Sequence, residues 1–151
     1  MALPDNWQGR LIQLLAIPGM MVAYYLYLFH SGSLFTTCTV NDLFDCGQVS
    51  GPGAPYSSIG PIPVALLGLL GYAVIFLVVW LQDWISLVED YLPELVFGIV
   101  GLAFLFTLGL TALELFVIHA FCQYCLYSAA IVSLMFLLAI SYLLSGGKAS
   151  D

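Results

Sequence analysis

The chain has 151 residues, 62% of them hydrophobic and 7% charged, against roughly 25% charged in ordinary globular domains. With a mean hydropathy of +1.06 and apolar runs of spanning length, this composition excludes a soluble protein and predicts one integral membrane domain of several helices. Nine acids against two bases leave a formal charge of −7, which argues against nucleic-acid binding, since that needs a basic face.

Residues 1–10 are short and polar and end on Arg10. The apolar run 11–29 approaches the roughly 20 residues a crossing needs. It is also longer than the signal-peptide core of about 7–15 residues, so it predicts a first membrane helix. Residues 30–62 form the one substantial polar segment, with Cys38, Asn41, Asp42, Asp45, Cys46 and the run Gly51-Pro52-Gly53-Ala54-Pro55. Gly and Pro at that density predict a loop free of regular helix or strand. Leu34, Phe35, Leu43 and Phe44 would let this loop lie on the membrane as a cap. Pro61 and Pro63 open a second helix over 63–81, where a missing N–H costs little, and Trp80 and Trp84 mark a membrane interface. The connection 82–94 carries Asp83, Glu89, Asp90 and Glu94 and reads as solvated. A third helix is expected over 95–118. Gly98, Gly101 and Gly109 on it, like Gly68 and Gly71 on the second, are expected to allow close helix contacts. A tight turn, His119 to Phe121, leads into a fourth helix over 122–144.

The expected fold is therefore all-α, a bundle of four transmembrane helices with an extracytoplasmic cap loop between the first two. Four crossings put the loop after helix 1 and the turn after helix 3 on one face. Arg10 and Lys148 lie on the other, and the positive-inside rule then predicts a cell-membrane protein with cytoplasmic termini.

The four cysteines fall as two pairs on that shared face, Cys38/Cys46 and Cys122/Cys125. The C-x-x-C at the head of an apolar helix places both sulfurs on one turn, where unpaired backbone N–H groups favour a thiolate. A reactive thiol beside a partner thiol is what disulfide exchange requires, and such pairs belong on an oxidising face. An exposed loop pair can meet a soluble dithiol. A pair at the mouth of a helix can meet a two-electron acceptor dissolved in the bilayer, which points to a quinone. A zinc site from the four thiols is chemically possible, but the spacing is not that of two closed knuckles, so no metal is expected. The alternative outside enzymology is a membrane scaffold whose loop pair is a staple and whose C-x-x-C is inert.

Other residues carry two readings each. Glu114 is the acid inside a predicted span, about 12 Å below the helix end at 1.5 Å per residue; facing a neighbouring hydroxyl or backbone group competes with handling a proton. His119 sits beside the pair, as a thiolate partner or an interfacial anchor, whereas His30 reads as a helix-end residue. Phe121, Tyr124 and Tyr127 could line a quinone pocket or simply pack, since aromatics are 15% of the chain.

Beyond these readings, Cys38-x7-Cys46, the run Pro55-Tyr56-Ser57-Ser58-Ile59-Gly60-Pro61-Ile62-Pro63-Val64-Ala65-Leu66-Leu67-Gly68 and the stretch Leu113 to Cys125 resemble a bacterial or archaeal vitamin K epoxide reductase homologue. The resemblance runs from helix 1 to helix 4. It implies oxidation of a thioredoxin-like (DsbA-like) protein and reduction of a ubiquinone- or menaquinone-type quinone, in support of disulfide formation. Many relatives carry a fused thioredoxin-like domain; here the partner is expected to be a separate protein. By position, Cys38 resembles the cysteine that exchanges with the partner, Cys46 the one that attacks Cys122, and Cys125 the one facing the quinone. The usual loop serine has no secure counterpart: Pro52 or Ala54 falls at its spacing, with Ser50, Ser57 and Ser58 nearby. The quinone-contacting asparagine and tyrosine of the animal enzymes fall at Val64 and Ala129, so a plain quinone is preferred over a quinone epoxide, the alternative substrate. Ser57, Ser58, Phe121, Tyr124, Glu114 and His119 are the candidate quinone-binding residues. A DsbB-type quinone reductase is the competing architecture, and the position of the C-x-x-C on the last helix counts against it.

Overall fold

A computed structural model describes residues 7–33 and 58–146. Cys38, Cys46, Ser57 and the expected cap loop lie outside the described residues. The first helix, α1, spans Trp7–His30. A short hairpin pairs β1, Ser58–Ile59, with β2, Ile62–Pro63. Then come α2, Val64–Leu81, and α3, Ser86–Leu113, which continues as a π-helical stretch, Glu114–Ile118. The last helix, α4, spans Gln123–Gly146. Among the described residues, four helices are long and apolar enough to cross a membrane.

Three expectations need correcting. The third helix begins at Ser86, not at residue 95, so much of the supposed connection is helical. Val88, Leu92, Val96 and Val100 recur every fourth residue, and the last three are buried against the bundle; that stripe, with Glu89 in the first turn, makes a helix of the segment. The uninterrupted 33 residues from Ser86 to Ile118 reach about 50 Å, more than the ~30 Å hydrocarbon core. The excess carries Glu89, Asp90 and Glu94, all exposed. Secondly, the polar loop ends in a strand pair, Ser58 opposite Pro63 and Ile59 opposite Ile62. Gly60, at φ 62°, supplies the left-handed first position that a two-residue hairpin loop needs.

Thirdly, the close helix contact is not where the glycines of α2 and α3 suggested. A β-carbon on Gly71, Gly98 or Gly109 would meet nothing within 4 Å, and one on Gly68 or Gly101 would make only ordinary contact with a neighbouring helix, 3.9 Å from the Ala23 β-carbon and 3.6 Å from Phe136 Cε2. The tight position is Gly19 on α1, where a β-carbon would come to 2.6 Å from the Tyr72 Cδ1 and Cζ atoms.

Helix α1 packs against α2 and α4, and α3 packs mainly on α4, so that the contact between α2 and α3 is the thinner one. The main core joins Ile12 and Ala16 of α1, Ile75 and Val79 of α2, Val96 and Val100 of α3, and Met135 and Ala139 of α4. Several polar groups inside the bundle are paired. The Tyr72 hydroxyl lies 2.7 Å from Ser128 Oγ and donates to the Ser128 carbonyl at 3.2 Å, tying α2 to α4. Thr107, Thr111 and Ser133 each donate to the carbonyl four residues earlier.

The two ends of the bundle differ in composition. Trp7, Trp80 and Trp84, all three tryptophans of the chain, lie at the end that holds the start of α1 and the α2–α3 connection. Arg10 donates there to both carboxylate oxygens of Asp83, at 2.7 and 2.9 Å. This ion pair marks where the start of α1 lies beside the α2–α3 connection, as an even number of crossings requires. At the other end, Tyr24, Tyr25 and Tyr27 close α1 and Tyr124 and Tyr127 open α4.

Candidate functional site

The C-x-x-C lies where the chain turns back from α3 into α4. The turn is built from two departures from α-helical geometry. Glu114–Ile118 widens into a π-helix, and His119 then takes a left-handed conformation at φ 57°. Together they reverse the chain within a few residues. The Cys122 carbonyl accepts the Leu126 N–H at 3.0 Å, so Cys122 caps α4 and Cys125 falls in its first turn. Both thiols therefore sit among the backbone N–H groups that no carbonyl of the helix can satisfy. Cys122 is fully buried and Cys125 half-buried. A small apolar cluster encloses them, formed by Leu26, Ala65, Ile118 and Ala120 with Val22 and Phe29.

Glu114 is the feature that periodicity misplaced. Counting along a straight helix puts it well below the turn, facing another helix. Because the π-helical stretch ends in a reversal, the carboxylate instead meets the pair: it accepts from the Cys122 backbone N–H and from the Cys125 thiol. The side chain is 4% exposed, and its Oε2 has no hydrogen-bond partner. An acid held so deep in apolar surroundings is costly to keep charged, so its place beside two sulfurs requires an explanation from function.

The remaining candidates separate into two groups. Tyr124 is half-buried and packs on Tyr25 at a ring separation of 4.8 Å and on Tyr127 at 6.1 Å; the Tyr127 hydroxyl accepts from Gln123 Nε2 at 2.6 Å. Phe121 is half-buried on the same turn, and His119 is exposed there. His30 is the last residue of α1. Ser58 lies elsewhere, on the wall of an apolar groove of about 430 Å³ bounded by Val64 on one side and Leu105, Gly109 and Leu113 on the other. The groove occupies the thin contact between α2 and α3, on the same side of the membrane as the cysteines, and Glu114 follows its last lining residue. Apart from Ser58, its lining side chains are apolar.

Sequence reasoning missed Gly19, Tyr25 and the Tyr72–Ser128 pair. Polar residues inside spans are a usable signal for the last of these, since such side chains can hydrogen-bond across helices; nothing local singles out Gly19.

No curated protein matches the chain. A match to the Vitamin K epoxide reductase family covers residues 10–140, thus taking in all four helices and the cysteine turn, and the chain belongs to that family.

Proposed function

We propose that this protein, a membrane redox enzyme by its family, oxidises a separate thioredoxin-like (DsbA-like) protein outside the cytoplasm and passes the electrons to a ubiquinone- or menaquinone-type quinone, supporting disulfide formation. The observation that carries this reading is the placement of Cys122 and Cys125 at the head of α4, with an apolar groove between α2 and α3 toward the same end of the bundle. In the relay, the partner's dithiol reduces a Cys38–Cys46 disulfide by exchange, and Cys46 then attacks Cys122 of an oxidised Cys122–Cys125 pair. The reduced pair delivers two electrons at the bilayer, Cys125 being the sulfur nearer the acceptor. A bound quinone supplies the chemistry of taking up two electrons and two protons. The protein's part is to hold the two sulfurs in exchange distance, to exclude water with the cluster around Leu26 and Ile118, and to offer the acceptor an apolar seat. Val64 on the groove wall offers no hydrogen bond, which favours a plain quinone over an epoxide. The positive-inside rule places the termini in the cytoplasm and the cysteines outside.

The test is quinone absorbance in detergent-solubilised protein supplied with a reduced thioredoxin-like protein. Wild type should consume quinone and Cys125→Ala should not. Consumption that survives Cys125→Ala, or no consumption with any respiratory quinone, would remove this reading. Activity on a quinone epoxide alone would move it to the epoxide reductase alternative.

A further inference from the structure

The reduced pair holds two thiol protons, and forming a disulfide sends two electrons and two protons outward. Cys122 is fully buried, so its proton cannot leave directly into water. The turn supplies a group for this purpose. Glu114 reaches both members of the pair, accepting from the Cys122 amide and from the Cys125 thiol. Its second oxygen, Oε2, is buried and unpartnered, the arrangement of a carboxyl with a free position to receive or release a proton. Two further features are hard to explain otherwise. The chain departs from α-helix at Glu114 itself, and π-helical insertions recur at functional sites. Leu113, the residue before it, lines the groove between α2 and α3, so the carboxyl that meets the pair follows directly on the wall of that seat. A purely structural acid would be expected to have both oxygens satisfied.

We propose that Glu114 is the proton carrier of the Cys122–Cys125 pair, moving the thiol protons toward the electron acceptor as the disulfide forms. The S–H bond of Cys125 breaks and its proton passes to the Glu114 carboxylate, leaving a thiolate and a carboxylic acid. Glu114 gives this proton up toward the groove, takes that of Cys122 as the S–S bond forms, and releases this second proton by the same route. Two thiols thereby lose two electrons and two protons, a quinone gains the same, and the carboxylate is restored. This rests on the quinone reading above for its acceptor; the proton transfer itself does not.

The test uses the full chain in lipid nanodiscs and two independent readouts. In the first, the time-resolved infrared difference spectrum of wild type, recorded while an added soluble oxidant converts the reduced pair to the disulfide, should contain a transient protonated-carboxyl band. The band should shift in D2O, vanish in Glu114→Gln and change in Cys125→Ser. In the second, Glu114→Gln, which keeps the side chain's size and can still accept from the Cys122 amide, should slow quinone reduction by about 10²-fold, the lower end of what positioned proton transfer contributes. Reduction of the Cys122–Cys125 disulfide by a small dithiol should stay within threefold. A spectrum with no carboxyl signal on cycling the pair overturns the proposal, and so does quinone turnover in Glu114→Gln within threefold of wild type. Equal losses in both steps also overturn it, because they mark a structural acid. If wild type shows the band but consumes no quinone, the carrier role is supported and the acceptor assignment fails, so the two claims are separable.

Discussion

Replacing Gly19 with alanine should weaken the bundle more than any comparable change on α2 or α3. The added β-carbon would lie 2.6 Å from two carbons of the Tyr72 ring, whereas carbon atoms in ordinary contact sit about 3.5–4.0 Å apart, so the ring has to retreat by about 1 Å. It is poorly placed to do so. Tyr72 is 4% exposed, and its hydroxyl is 2.7 Å from Ser128 Oγ; a retreat of that size would take the pair beyond hydrogen-bond range. Overpacking of this kind costs about 1–3 kcal/mol, and an interhelical hydrogen bond in a membrane contributes about 0.6, at most about 1.7 kcal/mol. The better helix propensity of alanine returns up to about 1 kcal/mol. The net loss is therefore about 1–4 kcal/mol. Gly71→Ala is the control: its β-carbon meets nothing within 4 Å, so it should be neutral or stabilising by up to about 1 kcal/mol. Reversible unfolding in mixed detergent micelles measures both. A double variant, Gly19→Ala with Tyr72→Leu, should be at least about 1 kcal/mol better than the sum of its parts, because the smaller side chain removes the overlap. Equal stability of Gly19→Ala and Gly71→Ala would refute this account of how α1 meets α2.

Three further predictions follow from the same geometry. Arg10 and Asp83 are 39% and 43% exposed, so a double-mutant cycle should give a coupling below about 1 kcal/mol, and the coupling should shrink as salt is added. His119 is left-handed at φ 57°; His119→Val should be about 1–2 kcal/mol less stable than His119→Gly, and equal stability would mean that the turn relaxes. Gly109→Trp places a large side chain on the wall of the α2–α3 groove, and should raise KM for a long-tailed quinone by about tenfold, about 1.4 kcal/mol, with dithiol reduction of Cys122–Cys125 unchanged; an unaltered KM would place the acceptor elsewhere.

How much of this was legible in the sequence follows from what lipid demands of a chain. A span needs only length and apolarity, and interfaces collect tryptophan and charge. The four crossings, the Trp80–Trp84 belt and the C-x-x-C at the head of a helix could therefore be read residue by residue. So could the shared face of the cysteine turn and the loop before α2, because it depends only on counting crossings.

Contacts between helices were not legible, for a physical reason. Lipid tails are as apolar as leucine, so no hydrophobic stripe tells a membrane helix which side faces its neighbours. That is why glycines on α2 and α3 drew attention while Gly19, the one that a ring presses on, did not stand out. Where a segment leaves the membrane, water restores the contrast, and the Val88, Leu92, Val96 pattern at the start of α3 was available to be read. The placement of Glu114 was beyond any count along the chain, since a fixed rise per residue assumes an unbroken α-helix. Which residues are apolar, how often the chain crosses and where its thiols lie are properties of the sequence alone. That a buried carboxylate meets those thiols depended on a π-helical stretch and a left-handed histidine, which only packing of α3 on α4 selects.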